Sequence, residues 1–133
     1  MSNGIRKQQY ELDFGVDEET NLPRWMTIKL GGKLHSPPDG RPSHVLFDAE
    51  GRPYEFVWHH LNYPHRKNGP SKLRINPDNG IHVMEEFNDV FQTPSADDVA
   101  YIARDKDTGA TLRVAHMRDL ETFSPPPCPR LEP

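Results

Sequence analysis

A chain of 133 residues with 16 basic and 20 acidic side chains, net charge −4, has the length of one domain. The charges are interspersed: there is no basic stripe to neutralise nucleic-acid phosphates, no acidic run to imitate them, and no stretch near the ~20 apolar residues of a membrane span. With 34% hydrophobic residues, 14 prolines and a mean hydropathy of −0.83, the core is expected to be thin and helped by a partner or by self-association.

Strict alternation of apolar and polar residues recurs along the chain and predicts strands. Tyr10, Leu12 and Phe14 share one face while Glu11 and Asp13 take the other. After the polar connection "GVDEETNLP", Met26, Ile28 and Leu30 point one way and Trp25, Thr27 and Lys29 the other. "GGKLHSPPDGRPS" holds three glycines and three prolines in 13 residues, which excludes a helix.

Three hairpins follow. "HVLFD" and "PYEFVW" flank the turn "AEGR", with Tyr54, Phe56 and Trp58 on one face, expected to pack in the sheet core. "SKLRI" and "IHVMEEF" flank "NPDNG", where Asn79-Gly80 suits a tight turn, and "VAYIARD" and "TLRVAHM" are joined at Thr108-Gly109. No window offers a convincing helix of ten or more residues. The class is therefore all-β, an antiparallel meander of consecutive β-hairpins with about eight strands. Residues 1–120 form a single β domain, and the Pro-rich stretch 121–133 is expected to be an extended tail.

The single cysteine, Cys128, excludes an internal disulfide and fits a reducing cytoplasm. The N-terminus lacks the apolar segment of a secretory signal, so a cytoplasmic protein is expected.

Self-comparison shows two repeat-like units, about 25–57 and 58–87. The 11-residue interval from Gly40 to Gly51 recurs from Gly69 to Gly80, and His35 and His65 stand upstream of Pro42-Ser43 and Pro70-Ser71. "WHHLNYPHRKNGPS" follows the pattern W-x-x-N-G-K-L-H-R-E-D-G-P-A without insertions, and "GGKLHSPPDGRPS" follows it with two inserted positions. Residues 25–87 thereby resemble the loosely MORN-like β-hairpin repeats of the antitoxin-component type found in bacterial and viral proteins. The resemblance implies stacked hairpins with binding or structural roles and no catalytic residues to carry over. It also suggests a setting, a phage or mobile-element protein that binds and inhibits or modulates a host enzyme or defence complex.

In such a unit Gly69 is expected to take a backbone conformation closed to other residues, Pro70 to set φ into the next strand, and His65 to hydrogen-bond across to the neighbouring unit. Loops carry binding functions on rigid β scaffolds, so the turn-rich surface around Trp58, His60, Tyr63, His65, Arg66, Lys67 and His35 is the candidate binding site, Trp58, Tyr63 and Arg66 being anchors by residue type. The expected partner is another protein; nucleic acid, membrane, metal and cofactor are not expected.

Two other readings remain. His59, His60 and His82 with Asn79 have the skeleton of an HNH-like metal-dependent nuclease, although "GIHVMEEF" alternates like a strand where such a site needs a helix. A structural subunit of a larger assembly would form homo-oligomers through an exposed sheet edge.

Overall fold

The computed structural model describes residues 9–120, which form an all-β chain. The strands are β1 (Tyr10–Val16), β2 (Pro23–Leu30), β3 (Lys33–Leu34), β4 (His44–Phe47), β5 (Pro53–Val57), β6 (His59–His60), β7 (Tyr63–Pro64), β8 (Lys72–Ile75), β9 (His82–Glu86), β10 (Val99–Arg104) and β11 (Thr111–His116). Eight of them pair antiparallel in the order β1-β2-β4-β5-β8-β9-β10-β11, the expected meander as one continuous sheet. The two-residue strand β3 folds back on β2, and β6 and β7 make a separate ribbon. A short 3-10 turn, Met117–Asp119, follows β11. The proline-rich stretch 121–133 with Cys128 lies outside the described residues. Among the described residues no helix is long and apolar enough to cross a membrane.

The four tight turns at one end of the sheet share one construction. Asp17, Asp48, Asn76 and Asp105 each follow a strand, and their Oδ1 atoms accept hydrogen bonds from backbone N–H groups of Glu19 and Thr20, Glu50, Asp78, and Asp107 and Thr108. Each turn then contains a residue in the left-handed region: Asn21 at φ 61°, Gly51 at 81°, Gly80 at 77° and Gly109 at 77°. The N–H groups of Thr20 and Thr108 do most to hold the Asp17 and Asp105 carboxyls below the ordinary aspartate value. With Asx residues at 17, 48, 76 and 105, the hairpin unit recurs four times, twice as often as the histidine and glycine spacings show.

Register divides the sheet into two unlike faces. Pairing across the strands sets Phe14, Met26, Val45, Phe56, Leu73, Glu85, Ile102 and Val114 in one row, apolar except for Glu85. The opposite face carries the rows Trp25–Leu46–Glu55–Arg74–Met84–Ala103 and Thr27–His44–Val57–Lys72–Glu86–Tyr101–Ala115. Here Met84, Tyr101 and Ala115 are buried together, and the buried Glu55 carboxylate accepts from Arg74 Nε at 3.2 Å.

The aromatic triplet of β5 and its extension lies on the apolar face, but only Trp58 is buried. Tyr54 and Phe56 are half-buried, because the strands form a single layer and burial comes mainly from neighbours within it.

Candidate functional site

Three long connections, residues 31–43, 58–71 and 87–98, gather at the end of the sheet opposite the tight turns. Two serines seat them. Ser43 and Ser71 are fully buried, with their N–H groups donating to Val57 O at 2.9 Å and Glu86 O at 2.8 Å. Ser71 Oγ accepts from Asn88 Nδ2 at 2.9 Å; in the preceding unit Ser43 Oγ lies 2.7 Å from His59 Nδ1. Burial, with a smaller contribution from His44, pushes the His59 imidazole down to about 4.

The two repeat histidines then lace successive connections together. His35 Nδ1 accepts the Leu61 N–H at 3.1 Å, and His65 Nδ1 accepts the Val90 N–H at 3.0 Å, so each reaches into the following unit. Their own N–H groups donate to Ile28 O and Trp58 O. Asn62 adds a reciprocal pair with Leu34, donating N–H to its carbonyl and accepting its N–H on Oδ1, both at 2.8 Å.

These bonds align a file of rings across the sheet end. Tyr10 and His35 have centroids 6.2 Å apart, His35 and His60 4.8 Å, and His60 and His65 5.8 Å. Phe91 stands edge-on to His60 at 4.8 Å and to His65 at 4.9 Å. Burial, and then proximity to His60 and His65, holds the His35 pKa below the ordinary histidine value.

Beside the file, Trp58 donates Nε1–H to Gly40 O at 2.9 Å, and the Arg66 guanidinium lies 3.9 Å above its ring. Arg66 also donates backbone N–H to Asn88 O at 2.9 Å, and burial lowers its pKa from the ordinary arginine value. Gly69 serves this arrangement differently from the sequence expectation. It does not adopt positive φ; instead a Cβ there would meet Arg66 Nη1 at 2.9 Å, so glycine makes room for the guanidinium.

Six of the seven nominated residues, His35, Trp58, His60, His65, Arg66 and Lys67, line one open groove of about 500 Å³. Tyr63 lies apart, at a neighbouring depression of about 360 Å³ that Val90, Pro94 and Leu120 also line. Sequence reasoning missed the apolar tips of these loops. Leu61 is 38% exposed, Val90 46% and Phe91 69%, beside the nominated Tyr63 at 67%. The available signal was Val90-Phe91 inside the otherwise polar spacer "NDVFQTPSADD".

Leu61 also carries backbone strain. It and Asn62 form the two-residue connection between β6 and β7 with φ 44° and 75°, a geometry that favours Asn-Gly. Gly31 and Gly32, between β2 and β3, take the same place in the preceding unit at φ 58° and 81°.

The HNH-like set is not brought together. His59 and His60 sit at the loop end, whereas His82 pairs with Ile75 beside a tight turn, its Nδ1 3.5 Å from Glu85 Oε1. Asn79 is a turn residue whose Nδ2 donates to Lys106 O at 3.0 Å. Among the described residues no three His, Cys, Asp or Glu side chains are grouped to hold a metal ion.

No family model matches the chain, and no significant match is found among curated proteins or among solved structures.

Proposed function

We propose that the protein is a non-catalytic binding module that engages another protein through the loop end of its sheet. The observation that carries this reading is Leu61, an exposed leucine held at φ 44° in the same set of loops that exposes Tyr63, Val90 and Phe91. A left-handed leucine costs ~1 kcal/mol or more relative to glycine, and at 38% exposure it is only partly covered within the described chain in return. Placing a large apolar side chain on a strained tip is consistent with selection for contact with something else.

The residue types fit this role. Tyr63 and Phe91 supply rigid aromatic area, and Arg66 presents a guanidinium pre-positioned on Trp58 with Lys67 at its side. The cross-unit bonds from His35 and His65 hold the loops in one arrangement, which lowers the entropy lost on docking. Occupation of this end would act by steric blocking of the partner. The further suggestion that the partner is a host enzyme or defence complex rests on the sequence resemblance alone.

The test is parallel affinity capture from a bacterial lysate with the tagged protein and a Tyr63→Ala/Phe91→Ala variant, with EDTA and nuclease treatment, followed by titration with the purified candidate. Support requires a protein that binds the wild type in all conditions and binds the variant at least ~10-fold more weakly, while the variant melts within ~2 °C of the wild type. Equal binding to both proteins, or recovery of nucleic acid alone, would overturn the proposal.

A further inference from the structure

We propose that the apolar face of the sheet, represented by the row from Phe14 to Val114, is a self-association surface that pairs with the same face of a second copy of this chain. The row crosses all eight strands of the meander, with Phe14, Met26, Val45, Phe56, Leu73, Ile102 and Val114 as its apolar members. Leu12 and Ile28 extend it on the same face. An apolar sheet face is ordinarily packed against another layer. Among the described residues the loops cover the Trp58 end and Ile28 and Val45 are buried, while towards the outer strands Phe14 is 58% and Val114 43% exposed.

Charge singles out a second copy as the occupant. Glu85 is the one ionisable member of the row, and it already has a cation within its own chain, Arg104 Nη1 at 2.6 Å from Oε2. Two such faces therefore meet without an unmatched charge. The opposite face carries Arg74, Lys72, Glu86 and His44 around the buried Glu55 and so presents charged and titratable groups instead.

Size also permits a dimer. Seven intervals of ~4.8 Å between the eight strands and about five residues at ~3.3 Å per residue give a footprint of roughly 550 Å² per copy, or roughly 1,100 Å² for the pair. That reaches the ~1,000 Å² at which specific interfaces begin. Twofold pairing of identical patches is the commonest closed symmetry, and packed sheets settle ~10 Å apart with strands ~30° from alignment. The surface adjoins the loop-end site at Phe56 and Trp58, but Phe14 and Val114 lie on the outermost strands, so failure of one proposal does not decide the other.

The test is sedimentation velocity of the full chain between ~1 and ~200 µM. The expected result is a shift from monomer toward twice the monomer mass as concentration rises. Phe14→Lys combined with Val114→Lys should weaken the dimer at least ~10-fold, whereas Asp13→Lys, on the other face of β1, should leave it unchanged. A monomer throughout the range for the unmodified chain would overturn the proposal, independently of whether any variant folds. So would a dimer that survives Phe14→Lys/Val114→Lys but is lost with Asp13→Lys.

Discussion

His35 Nδ1 lies 3.1 Å from the backbone nitrogen of Leu61, 26 residues ahead, and accepts its hydrogen bond. His65 does the same for Val90, 25 residues ahead, at 3.0 Å. A histidine in this role must keep Nδ1 unprotonated and carry its proton on Nε2. The histidines therefore act as fixed struts between repeat units.

Replacing either strut tests this directly. His35→Ala or His65→Ala should each lower unfolding free energy by ~1 kcal/mol, seen as a fall of roughly 3–5 °C in the thermal midpoint. The amide of Leu61 or Val90, respectively, should exchange faster with solvent deuterium. Faster exchange at the other unit's amide, with none at the paired one, would refute the pairwise assignment.

Acid should loosen the same end of the sheet. The His59 pKa is near 4 in the folded chain against an ordinary 6.5, so folding favours its neutral form. Its contribution is present above pH ~6.5 and is lost as pH falls through about 4, on the order of 2 kcal/mol in total. The lowered His35 pKa acts in the same direction. His59→Asn would place beside Ser43 the residue type that Asn88 places beside Ser71. Urea midpoints measured from pH 7.5 to 4 should fall less for His59→Asn than for the wild type, with little difference between them at pH 7.5.

Leu61→Gly separates stability from binding. Glycine relieves the left-handed strain at φ 44° and should raise stability by ~1 kcal/mol. On the proposed role of the loop tip, the same change should weaken partner binding, the trade-off expected at a strained functional position. A variant that is both more stable and equally tight would show that Leu61 is not part of the interface.

The buried Glu55–Arg74 pair should be costly to break and cheap to replace. Arg74→Met leaves the Glu55 carboxylate with Lys72 Nζ at 3.9 Å as its other cation and should cost ~3 kcal/mol in denaturant melts. Adding Glu55→Met should restore most of that loss, because two apolar side chains then face each other between β5 and β8.

The long strands were legible because their signal is local. Tyr10, Leu12 and Phe14, or Met26, Ile28 and Leu30, mark a strand by alternation wherever that strand ends up. The two-residue strands β3, β6 and β7 were not, since they exist through contacts between connections, such as Leu34 with Asn62. Six of the nominated site residues meet at one groove because the repeat spacing places equivalent loops in register. Leu61 and Phe91 carry no comparable pattern. The role of Gly69 was misread because a glycine in sequence does not distinguish a need for positive φ from a need for space.

The sequence by itself determined the all-β class, the hairpin order and the recurrence of the corner residues, all set by neighbours within a few positions. Only the tertiary structure decided that the hairpins form one layer, that Tyr54 and Phe56 remain half-buried, and that His35, His60, His65 and Phe91 share one file of rings. Those outcomes depend on inter-strand register and on bonds between residues 25 or more positions apart, such as His35 with Leu61. Alternation assigns a side chain to one of two faces, but it carries no information about what, if anything, covers that face.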